Sequence, residues 1–421
     1  MRIALIGPVP PALGGQTPGG VATHQVYLAQ GLVAAGVEVS LLATNTSVCP
    51  DRFGPACDLA ALPIYRMVTP LRADPHTVAA LGGYPRVGRY GLAVARMRQH
   101  GSRREVLRNV LAYRRFMAEV CPDLIHVQHP LERSVYVRTV QRVEGWRQPL
   151  VVTAHSLFGE HPDATIHSLM APNLRAADRV IAVSEHIASQ AVDLGIDASR
   201  VRVIRSGVDT RQFRPTGAAE RDAARQRLGI PRESPLILFV GNLEPRKQLE
   251  VLLRAMPRVR QDVPEVQLLV VGSGESAGAL DQTTPLRQLS EALGLTDTVR
   301  FVGRLSQAQL EDAYAAADVF ALPSSSEAQG IVALEAMACG LAVVASAVGG
   351  LVGTITDQES GYLVPSGDVE ALTVRLTELL CDSERRTAMG RSARQAVERR
   401  FTWSHTVAAT CEVYREVLGC R

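Results

Sequence analysis

The sequence lacks several features that assign proteins to common functional classes. Its 421 residues carry a formal net charge of only +3, which gives no overall basic excess for binding nucleic acid. Seven cysteines form no Cys-x-x-Cys pair and no zinc-ligand spacing, and their odd number argues against a disulfide framework. No apolar run of about 18 residues occurs, and the one at the amino terminus is too short for a signal peptide. We therefore expect a cytoplasmic protein with reduced thiols and no nucleic-acid partner.

The length and the periodicity of the chain predict two α/β domains. A chain of this length is too long for one ordinary hydrophobic core, and its 46% apolar content can fill two. Short β-branched runs alternate with helical patterns in both halves, which is typical of βαβ units and parallel sheets, so each half is expected to be Rossmann-like and doubly wound. The predicted strands are Arg2–Ile6, Val37–Ala43, Leu124–Val127, Leu150–Ala154, Arg179–Val183, Val201–Ile204, Leu236–Val240, Gln267–Val271, Val299–Val302, Val319–Leu322 and Ala342–Ser346.

The domain boundary is expected near residue 205. The segment Arg205–Arg232 is rich in glycine and proline and carries a charged patch, which is typical of a connection between domains. We therefore expect an amino-terminal, acceptor-side domain over residues 1–205 and a carboxyl-terminal domain over residues 206–400. The tail over residues 401–421 has helical spacing, and it would either end the second domain or pack back on the first.

The most basic segment, Arg86–Arg115, contains nine arginines against one acidic residue. A solvated helix face explains such a segment without any function. The alternative is a surface that meets an anionic membrane or a phosphorylated acceptor, because apolar residues alternate with the arginines. Peripheral attachment to the inner face of the membrane is the corresponding second expectation for location. The apolar residues are Leu92, Val94, Met97, Val106, Leu107, Val110 and Leu111.

A loop with several glycines, from Gly14 to Gly20, follows the first predicted strand and leads into a helix. Glycine lets the backbone approach a phosphate, and the amides at a helix start attract it. A structural turn without a ligand explains the loop equally well. The loop does not match Gly-x-Gly-x-x-Gly, and no ribose-binding acid follows about twenty residues later, which disfavours a nicotinamide oxidoreductase.

Two glutamates, Glu327 and Glu335, lie eight residues apart around the start of a predicted helix near Gly330. Glu327 precedes this helix and Glu335 lies inside it. A phosphate at the helix start would leave both carboxylates available to accept hydrogen bonds from sugar hydroxyls. A capped helix with one solvated glutamate is equally compatible with the spacing alone.

Glycines and cations follow three successive strands of the second half. Arg246 and Lys247 come shortly after the first of these strands, Gly272 ends the next, and Arg304 follows the third. Ligands of open α/β sheets bind at the carboxyl ends of the strands. The pattern therefore predicts an anion-binding site in the second half of the chain.

Taken together, these residues resemble the retaining glycosyltransferases of family 4, which have the GT-B fold. The likeness covers nearly the whole chain, and its most specific part is the two-glutamate motif followed by Ala336-Met337-Ala338-Cys339-Gly340. The resemblance implies two Rossmann-like domains facing each other across a cleft. It also implies transfer of a hexose-type sugar from a nucleotide-diphosphate sugar to an acceptor hydroxyl. The other matching segments are Pro18-Gly19-Gly20-Val21, His24, Val152-Thr153-Ala154-His155, Ile181-Ala182-Val183-Ser184, Gly207-Val208-Asp209 and Gly241 through Lys247.

The resemblance implies roles for individual residues. Glu335 would bind the ribose hydroxyls, Glu327 would bind the hydroxyls of the transferred sugar, and Lys247 would offset the diphosphate charge. His155 is the expected active-site histidine, so His155, Lys247 and Glu327 are the expected catalytic residues. The expected donor-binding residues are Gly19, Gly20, Asn242, Arg246, Lys247, Gly272, Arg304, Gln329, Gly330, Ile331, Val332 and Glu335.

Neither a cofactor nor a metal is expected. The chain has no Asp-x-Asp pair to hold a divalent ion, and enzymes that resemble it offset the leaving-group charge with cations and helix dipoles. The departing phosphate would itself take the proton of the incoming hydroxyl. The nucleotide sugar is a substrate, and the acceptor stays open among a glycan, a lipid-linked or phosphorylated compound and a small molecule.

The sequence departs from the family pattern at several positions. Asn242 occupies a place where arginine is usual, and Arg246 would compensate for the missing charge. Ala328 and Gln329 stand where glycine and an aromatic residue are common, and Gly353 replaces a frequent glutamate. Gln329 would add a hydrogen bond to the donor sugar. Two alternatives stay open, a sugar-nucleotide epimerase of the same fold and an inactive nucleotide-sugar-binding subunit.

Overall fold

The computed structural model describes residues 1–9, 20–44, 64–66, 89–93, 103–129, 133–156, 164–274 and 282–419. They form two compact units, of which the first contains Met1–Ile204 together with Thr406–Arg421 and the second contains Arg205–His405. Each unit has one parallel sheet with helices in the connections, so the predicted α/β class with two doubly wound sheets is confirmed. The expected glycine loop up to Gly19 lies outside the described residues, as do several arginines of Arg86–Arg115.

The first unit contains a seven-stranded sheet with the order β3-β2-β1-β4-β5-β6-β7. Every residue of β4 and β5 is buried, as expected for parallel strands covered by helices on both faces. The strand order reverses between β1 and β4, which pair directly through contacts such as Ile3 with Leu124. The strands are β1 Arg2–Gly7, β2 Glu38–Ala43, β3 Ile64–Arg66, β4 Leu124–Val127, β5 Leu150–Ala154, β6 Arg179–Ala182 and β7 Val201–Val203. The helices are α1 Gly20–Ala34, α2 Arg103–Val120, α3 Arg133–Glu144, α4 Ala164–Ala176 and α5 Glu185–Asp193.

The described part of Arg86–Arg115 does not have the apolar face expected of a membrane-binding helix. Val106, Val110 and Leu111 are buried in α2, which packs against α3. Leu92 is 71% exposed, but it belongs to a short helical segment over residues 89–93. Because these residues of α2 are covered by the protein's own core, they are not available to insert into lipid, and the membrane interpretation is not supported for this helix. Within the described residues, no helix is long and apolar enough to cross a bilayer.

The second unit contains a six-stranded parallel sheet with the order β10-β9-β8-β11-β12-β13. Its strand order reverses between β8 and β11, which pair at Val319 with Ile237 and at Phe320 with Leu238. The strands are β8 Leu236–Val240, β9 Gln267–Val271, β10 Val299–Gly303, β11 Val319–Leu322, β12 Ala342–Ser346 and β13 Tyr362–Val364. The helices are α6 Ala218–Leu228, α7 Leu249–Asp262, α8 Thr283–Ala292, α9 Gln307–Ala316, α10 Ile331–Ala338, α11 Leu351–Thr354, α12 Val369–Cys381 and α13 Ser383–Arg400.

The segment expected to connect two domains is instead an integral part of the second unit. Its helix α6 packs against α9, and Arg225 of α6 is only 2% exposed. The Arg225 guanidinium forms an ion pair of 2.8 Å with Asp318 and donates to the carbonyl oxygens of Ala316 and Ser234. A buried charge is tolerated only when it is paired and hydrogen-bonded, and this network ties the segment to the edge of β11.

The last helix, α14 Trp403–Leu418, begins in the second unit and continues into the first. In the first unit, Val407 occupies the space above Gly31, where a Cβ on the glycine would collide with it. The Tyr414 hydroxyl forms a hydrogen bond of 2.6 Å with Nδ1 of His126. The tail residues from Thr406 onward therefore pack with the first unit.

Candidate functional site

The reversal of strand order between β8 and β11 brings two loops together at the carboxyl edge of the second sheet. One loop follows β8 and contains a 3-10 turn, Pro245–Lys247, and the other runs from Pro323 to Gly330 after β11. Successive connections leave these two strands in opposite directions, which opens the crevice where ligands of open α/β sheets bind. Lys247 lies in the loop after β8, and Glu327 lies in the loop after β11.

Lys247 and Glu327 form a buried ion pair, although 80 residues separate them in the chain. Nζ of Lys247 lies 2.5 Å from Oε1 of Glu327, and both side chains are less than 10% exposed. The Ser324 hydroxyl donates a second hydrogen bond of 2.8 Å to the same oxygen. Burial acts to raise the pKa of Glu327, but the charges of Lys247 and Arg246 outweigh burial and hold this pKa below its ordinary value. The carboxylate is therefore ionised at neutral pH.

Arg246 lies beside this pair and contacts a second carboxylate. Its Nη2 is 2.7 Å from Oε1 of Glu244, and its Nη1 is 3.8 Å from Oε2 of Glu327. The backbone carbonyl of Arg246 accepts a hydrogen bond from the amide of Ser325, which joins the two loops. Glu244, Arg246, Glu327 and Lys247 thus form a row of alternating charges with no net charge.

The backbone around Glu327 is held by a close-packed turn. The Gly350 amide donates to the Glu327 carbonyl at 2.8 Å, and the Thr354 hydroxyl donates to the Gln329 carbonyl at 3.1 Å. Gly349 has φ +49°, and a Cβ there would collide with the Glu327 carbonyl. Only glycine fits such a position at low cost, so the Gly-Gly turn fixes the loop that carries the carboxylate.

The side chain of Gln329 does not have the arrangement expected of a donor ligand. Its Oε1 accepts from the Ser206 amide at 2.8 Å, and its Nε2 donates to the Ser206 carbonyl at 2.9 Å. The side chain is only 3% exposed. Because both ends of the amide are already paired with backbone, the structure assigns it to fixing the loop, and the expected hydrogen bond to a donor sugar is not supported.

Gly330 is the N-cap of helix α10; it has φ +82° and packs under Leu351. In the described residues, no side chain caps this helix start, so the amides near Ile331 and Val332 lack a side-chain acceptor. The positive end of a helix with such amides binds anions. Glu327 precedes the helix start and Glu335 lies one turn into the helix, as the sequence predicted.

Glu335 accepts a hydrogen bond of 2.7 Å from the Tyr314 hydroxyl. Burial raises the pKa of Glu335 to about 7, and the bond from Tyr314 opposes that shift only in part. Tyr314 is itself buried, packed between Phe213 and Phe320. This carboxyl group is thus positioned by a neighbouring helix and titrates near neutral pH.

The next two strand ends carry the remaining expected donor residues. Gly272 has φ +139° and lies against the Gly241 carbonyl, so a side chain there would collide with the β8 loop. Nε of Arg304 donates to the Ser273 hydroxyl at 2.7 Å. Asn242 is partly buried in the β8 loop. These residues line the same edge of the sheet as Lys247.

The first unit has its own polar cluster where its strand order reverses. His126 at the end of β4, His155 just after β5 and His24 in α1 are all at most 9% exposed. The ring centroids of His24 and His155 are 4.5 Å apart, and Nε2 of His155 lies 3.2 Å from Oε1 of Gln128. Burial lowers the pKa of both His126 and His155 to about 3, so both rings are neutral near pH 7. Gly20 is the exposed first residue of α1.

Several residues at these sites were not singled out from the sequence. Ser324, Tyr314 and Gln128 carried no distinguishing pattern, and Glu244 stood only as a member of the matching segment from Gly241 through Lys247. Their contacts depend on elements that only the folded sheet brings together. Among the described residues, no group of three or more histidine, cysteine, aspartate or glutamate side chains is arranged to hold a metal ion.

Two family models match successive parts of the chain. The model described as Glycosyltransferase Family 4 matches residues 18–212, and the model described as Glycosyl transferases group 1 matches residues 220–396. The first match covers His155, and the second covers Lys247, Glu327 and Glu335. The two matches therefore lie on the two halves that the sequence analysis distinguished.

Similar proteins with curated names include two inositol-phosphate enzymes. D-inositol 3-phosphate glycosyltransferase of Salinispora arenicola is 38% identical over 70% of this chain and 69% of its own length. D-inositol 3-phosphate glycosyltransferase 2 of Catenulispora acidiphila is 33% identical over 94% of this chain and 90% of its own length.

Solved structures show the same fold. Sucrose-phosphate synthase of Thermosynechococcus elongatus is 27% identical, with a TM-score of 0.77 over the whole of both chains. Alr3699/HepE of Anabaena, solved with UDP and glucose, is 22% identical, with a TM-score of 0.73 over 99% of this chain and 100% of its own. The chain therefore belongs to glycosyltransferase family 4, has the GT-B fold, and is a glycosyltransferase.

Proposed function

We propose that this enzyme transfers a hexose-type sugar from a nucleoside diphosphate sugar to an acceptor hydroxyl, with retained anomeric configuration and without a metal ion. The observation that carries the proposal is the buried Lys247–Glu327 pair beside the uncapped start of α10. The cation and the helix start at this sheet edge match the diphosphate of such a donor, and the carboxylate matches the hydroxyls of its sugar.

The diphosphate is bound by the positive groups of this edge. Lys247, Arg246 and the amides near Ile331 supply positive charge and hydrogen-bond donors without a metal. Each cation is already paired with a carboxylate in the structure, so the diphosphate replaces those carboxylates as the cations' partner. Glu327 is then released to accept hydrogen bonds from the hydroxyls of the transferred sugar.

The nucleoside is bound through Glu335. A carboxylate accepts two hydrogen bonds at once, which suits the vicinal hydroxyls of a ribose. The hydrogen bond from the Tyr314 hydroxyl fixes one oxygen of the Glu335 carboxyl group. The position of Glu335 in α10 directs the other oxygen. The region near Arg304 and Ser273 is assigned to the nucleobase.

The reaction breaks the bond between the anomeric carbon and the diphosphate oxygen, and the electron pair leaves with the diphosphate. The acceptor oxygen forms its new bond on the same face of the sugar, and its proton passes to the departing phosphate oxygen. Positive charge develops on the sugar ring and negative charge on the diphosphate. Fixed cations and amides at the diphosphate stabilise this charge separation more than they stabilise the bound substrate.

The acceptor is proposed to be a phosphorylated polyol. Two similar proteins are named as inositol 3-phosphate glycosyltransferases, and a structural neighbour is named as a sucrose-phosphate synthase. A phosphorylated polyol or sugar is the feature shared by these names. We assign recognition of the acceptor to the first unit, which carries His155.

A transfer assay tests this function. The full chain is incubated with a panel of nucleoside diphosphate sugars and inositol phosphate, with and without EDTA, and the anomeric configuration of the product is read by NMR. We expect transfer that EDTA does not reduce, a product with the donor's configuration, and loss of about 10²–10³-fold in Lys247→Ala and Glu335→Ala. Arg258→Ala, on the exposed face of α7, is the matched control.

Three results would contradict the proposal. Unchanged turnover in both variants would remove these residues from the reaction. Conversion of the donor sugar without any acceptor would indicate an epimerase. Absence of transfer from every donor of the panel, with nucleotide still bound, would indicate a binding subunit.

A further inference from the structure

We infer that Gln128 is a positioning residue that holds His155 in the tautomer with its proton on Nε2, so that Nδ1 accepts a hydrogen bond from a substrate hydroxyl. The tautomer follows from contacts inside the first unit alone. The use of Nδ1 by a substrate rests on the proposed function. No charge on either residue is required.

Gln128 and His155 meet because they follow adjacent parallel strands. Gln128 comes directly after β4 and His155 directly after β5, and these strands pair in register with Val127 opposite Val152. Nε2 of His155 lies 3.2 Å from Oε1 of Gln128. An amide oxygen only accepts hydrogen bonds, so the histidine nitrogen that faces it must carry the proton.

The orientation of the Gln128 amide is set by its other neighbour, His126. Both ring nitrogens of His126 already have close partners, the Tyr414 hydroxyl at 2.6 Å and the Thr153 hydroxyl at 2.7 Å. The amide nitrogen of Gln128 lies 3.4 Å from each of these ring nitrogens. The nitrogen end of the amide therefore faces His126, and its oxygen end faces His155.

Gln128 has little freedom to turn over. It is fully buried, and its backbone amide donates to the Ile6 carbonyl at 2.9 Å. Its Cβ lies over Gly7, where any side chain on the glycine would collide with it. The close approach to Gly7 fixes the start of the side chain, and the His126 network fixes its end.

The consequence is a neutral histidine with one nitrogen available. Within the described residues, Nδ1 of His155 has no hydrogen-bond partner, whereas Nε2 is tied to Gln128. Burial keeps the ring unprotonated near neutral pH. A carboxylate in place of the Gln128 amide would favour the imidazolium, which cannot accept a hydrogen bond at Nδ1. An uncharged acceptor at this position is therefore what preserves Nδ1 as an acceptor.

The tautomer is measured directly by ¹⁵N NMR of the full chain labelled at histidine, with the His155 signals assigned as those missing from His155→Gln. We expect the Nε2–H form in the wild type at pH 7.5. Gln128→Met, which has similar length and no acceptor oxygen, should give a mixture of tautomers. Gln128→Glu keeps the acceptor, so it should retain the Nε2–H form and raise the pKa of His155.

Gln25 supplies the matched control, because it is also a fully buried glutamine of the first unit but neither end of its amide is hydrogen-bonded to any residue that the structure describes. Gln25→Met should leave the His155 tautomer unchanged. An Nδ1–H form in the wild type, or the same tautomer in wild type and Gln128→Met, would overturn the inference.

Acceptor kinetics distinguish a positioning role of Gln128 from a merely structural one. With the donor saturating, Gln128→Met should lower kcat/KM for the acceptor by about tenfold while the dissociation constant of the nucleotide donor stays the same. A shifted tautomer with unchanged acceptor kinetics would overturn the use of Nδ1. If no transfer is found at all, the proposed function fails, and the NMR result decides the tautomer independently.

Discussion

Nζ of Lys247 lies 2.5 Å from Oε1 of Glu327, at the point where the strand order of the second sheet reverses. In this arrangement the Glu327 carboxylate is itself the anion bound by the Lys247 ammonium group. Under the proposed function, the diphosphate must compete with this carboxylate, so the ion pair would oppose binding of the nucleotide and would be replaced when the donor binds.

This competition predicts opposite effects on binding and on transfer. Glu327→Gln should tighten binding of the free nucleoside diphosphate by about tenfold, because Lys247 loses its internal anion. Transfer should fall, since the sugar hydroxyls lose their carboxylate. Isothermal titration and the transfer assay measure the two effects, with Glu398→Gln on the exposed face of α13 as control. Weaker binding in Glu327→Gln would show that the pair does not compete with the ligand.

The Gly-Gly turn predicts that transfer depends on Gly349. Gly349→Ala should reduce kcat strongly, because the new Cβ displaces the Glu327 carbonyl. Gly367→Ala is the matched control, since Gly367 also has positive φ, +79°, but a Cβ there meets no atom of the described residues within 4 Å. Equal losses in the two variants would show that backbone strain, rather than displacement of Glu327, causes the effect.

The raised pKa of Glu335 predicts that the stability of the second unit depends on pH. Burial raises its pKa to about 7 from the ordinary 4.5, so the folded state holds this proton more tightly than the unfolded state. The stability from this group is therefore complete below pH 4.5 and is lost as the pH rises through 7, by at most about 3 kcal/mol. Urea unfolding of a Trp146→Phe chain follows the second unit through Trp403, the only other tryptophan.

In that background, Glu335→Gln should flatten the pH profile between pH 5 and 8, whereas Glu359→Gln, at an exposed position, should not. A wild-type profile that rises over this range would contradict the buried, protonated carboxyl group.

The buried histidines predict the reverse dependence in the first unit. The pKa values of His126 and His155 are lowered to about 3 from 6.5 by burial, so the unfolded chain takes up protons that the folded chain does not. The two neutral histidines contribute stability to the folded unit above pH 6.5. This contribution is lost on acidification, by about 2 kcal/mol for each histidine between pH 7.5 and 5. Trp146 fluorescence in a Trp403→Phe chain measures this loss. His126→Gln should make the profile shallower, and an unchanged slope would contradict the burial.

The hydrogen bond between Tyr414 of α14 and His126 predicts that Tyr414 contributes to the stability of the first unit. Tyr414→Phe removes the hydroxyl that bonds to His126 and leaves a buried ring nitrogen unsatisfied, which should cost about 1–3 kcal/mol in the first unit. A double-mutant cycle with His126→Gln isolates the bond. Additive losses in the cycle would show that the two side chains do not interact.

Much of the fold could be predicted because buried parallel strands read as β-branched runs. All eleven predicted strands are present, with ends that differ by a residue or so, such as Val37–Ala43 against Glu38–Ala43. The two missed strands, Ile64–Arg66 and Tyr362–Val364, have three residues each and lie at sheet edges. So short a run carries no periodicity, and its pairing depends on the neighbouring strand.

The candidate site could be predicted only in part. Strand ends and the spacing of Glu327 and Glu335 indicated the two loops of the candidate site, and the strand order brings Lys247 to Glu327. The partners of Glu335 and His155 could not be read from the chain, because Tyr314 and Gln128 contact them from other elements. The pairing of Gln329 with Ser206 was missed for the same reason.

Titration of nucleoside diphosphate sugars into the full chain tests the central claim most directly. We predict that one of the donors binds the wild type and Arg258→Ala with the same dissociation constant. Lys247→Ala and Glu335→Ala should bind it at least tenfold more weakly at a temperature where urea unfolding shows both variants to be folded. Equal affinity in all four proteins would contradict the assignment of this sheet edge to the donor.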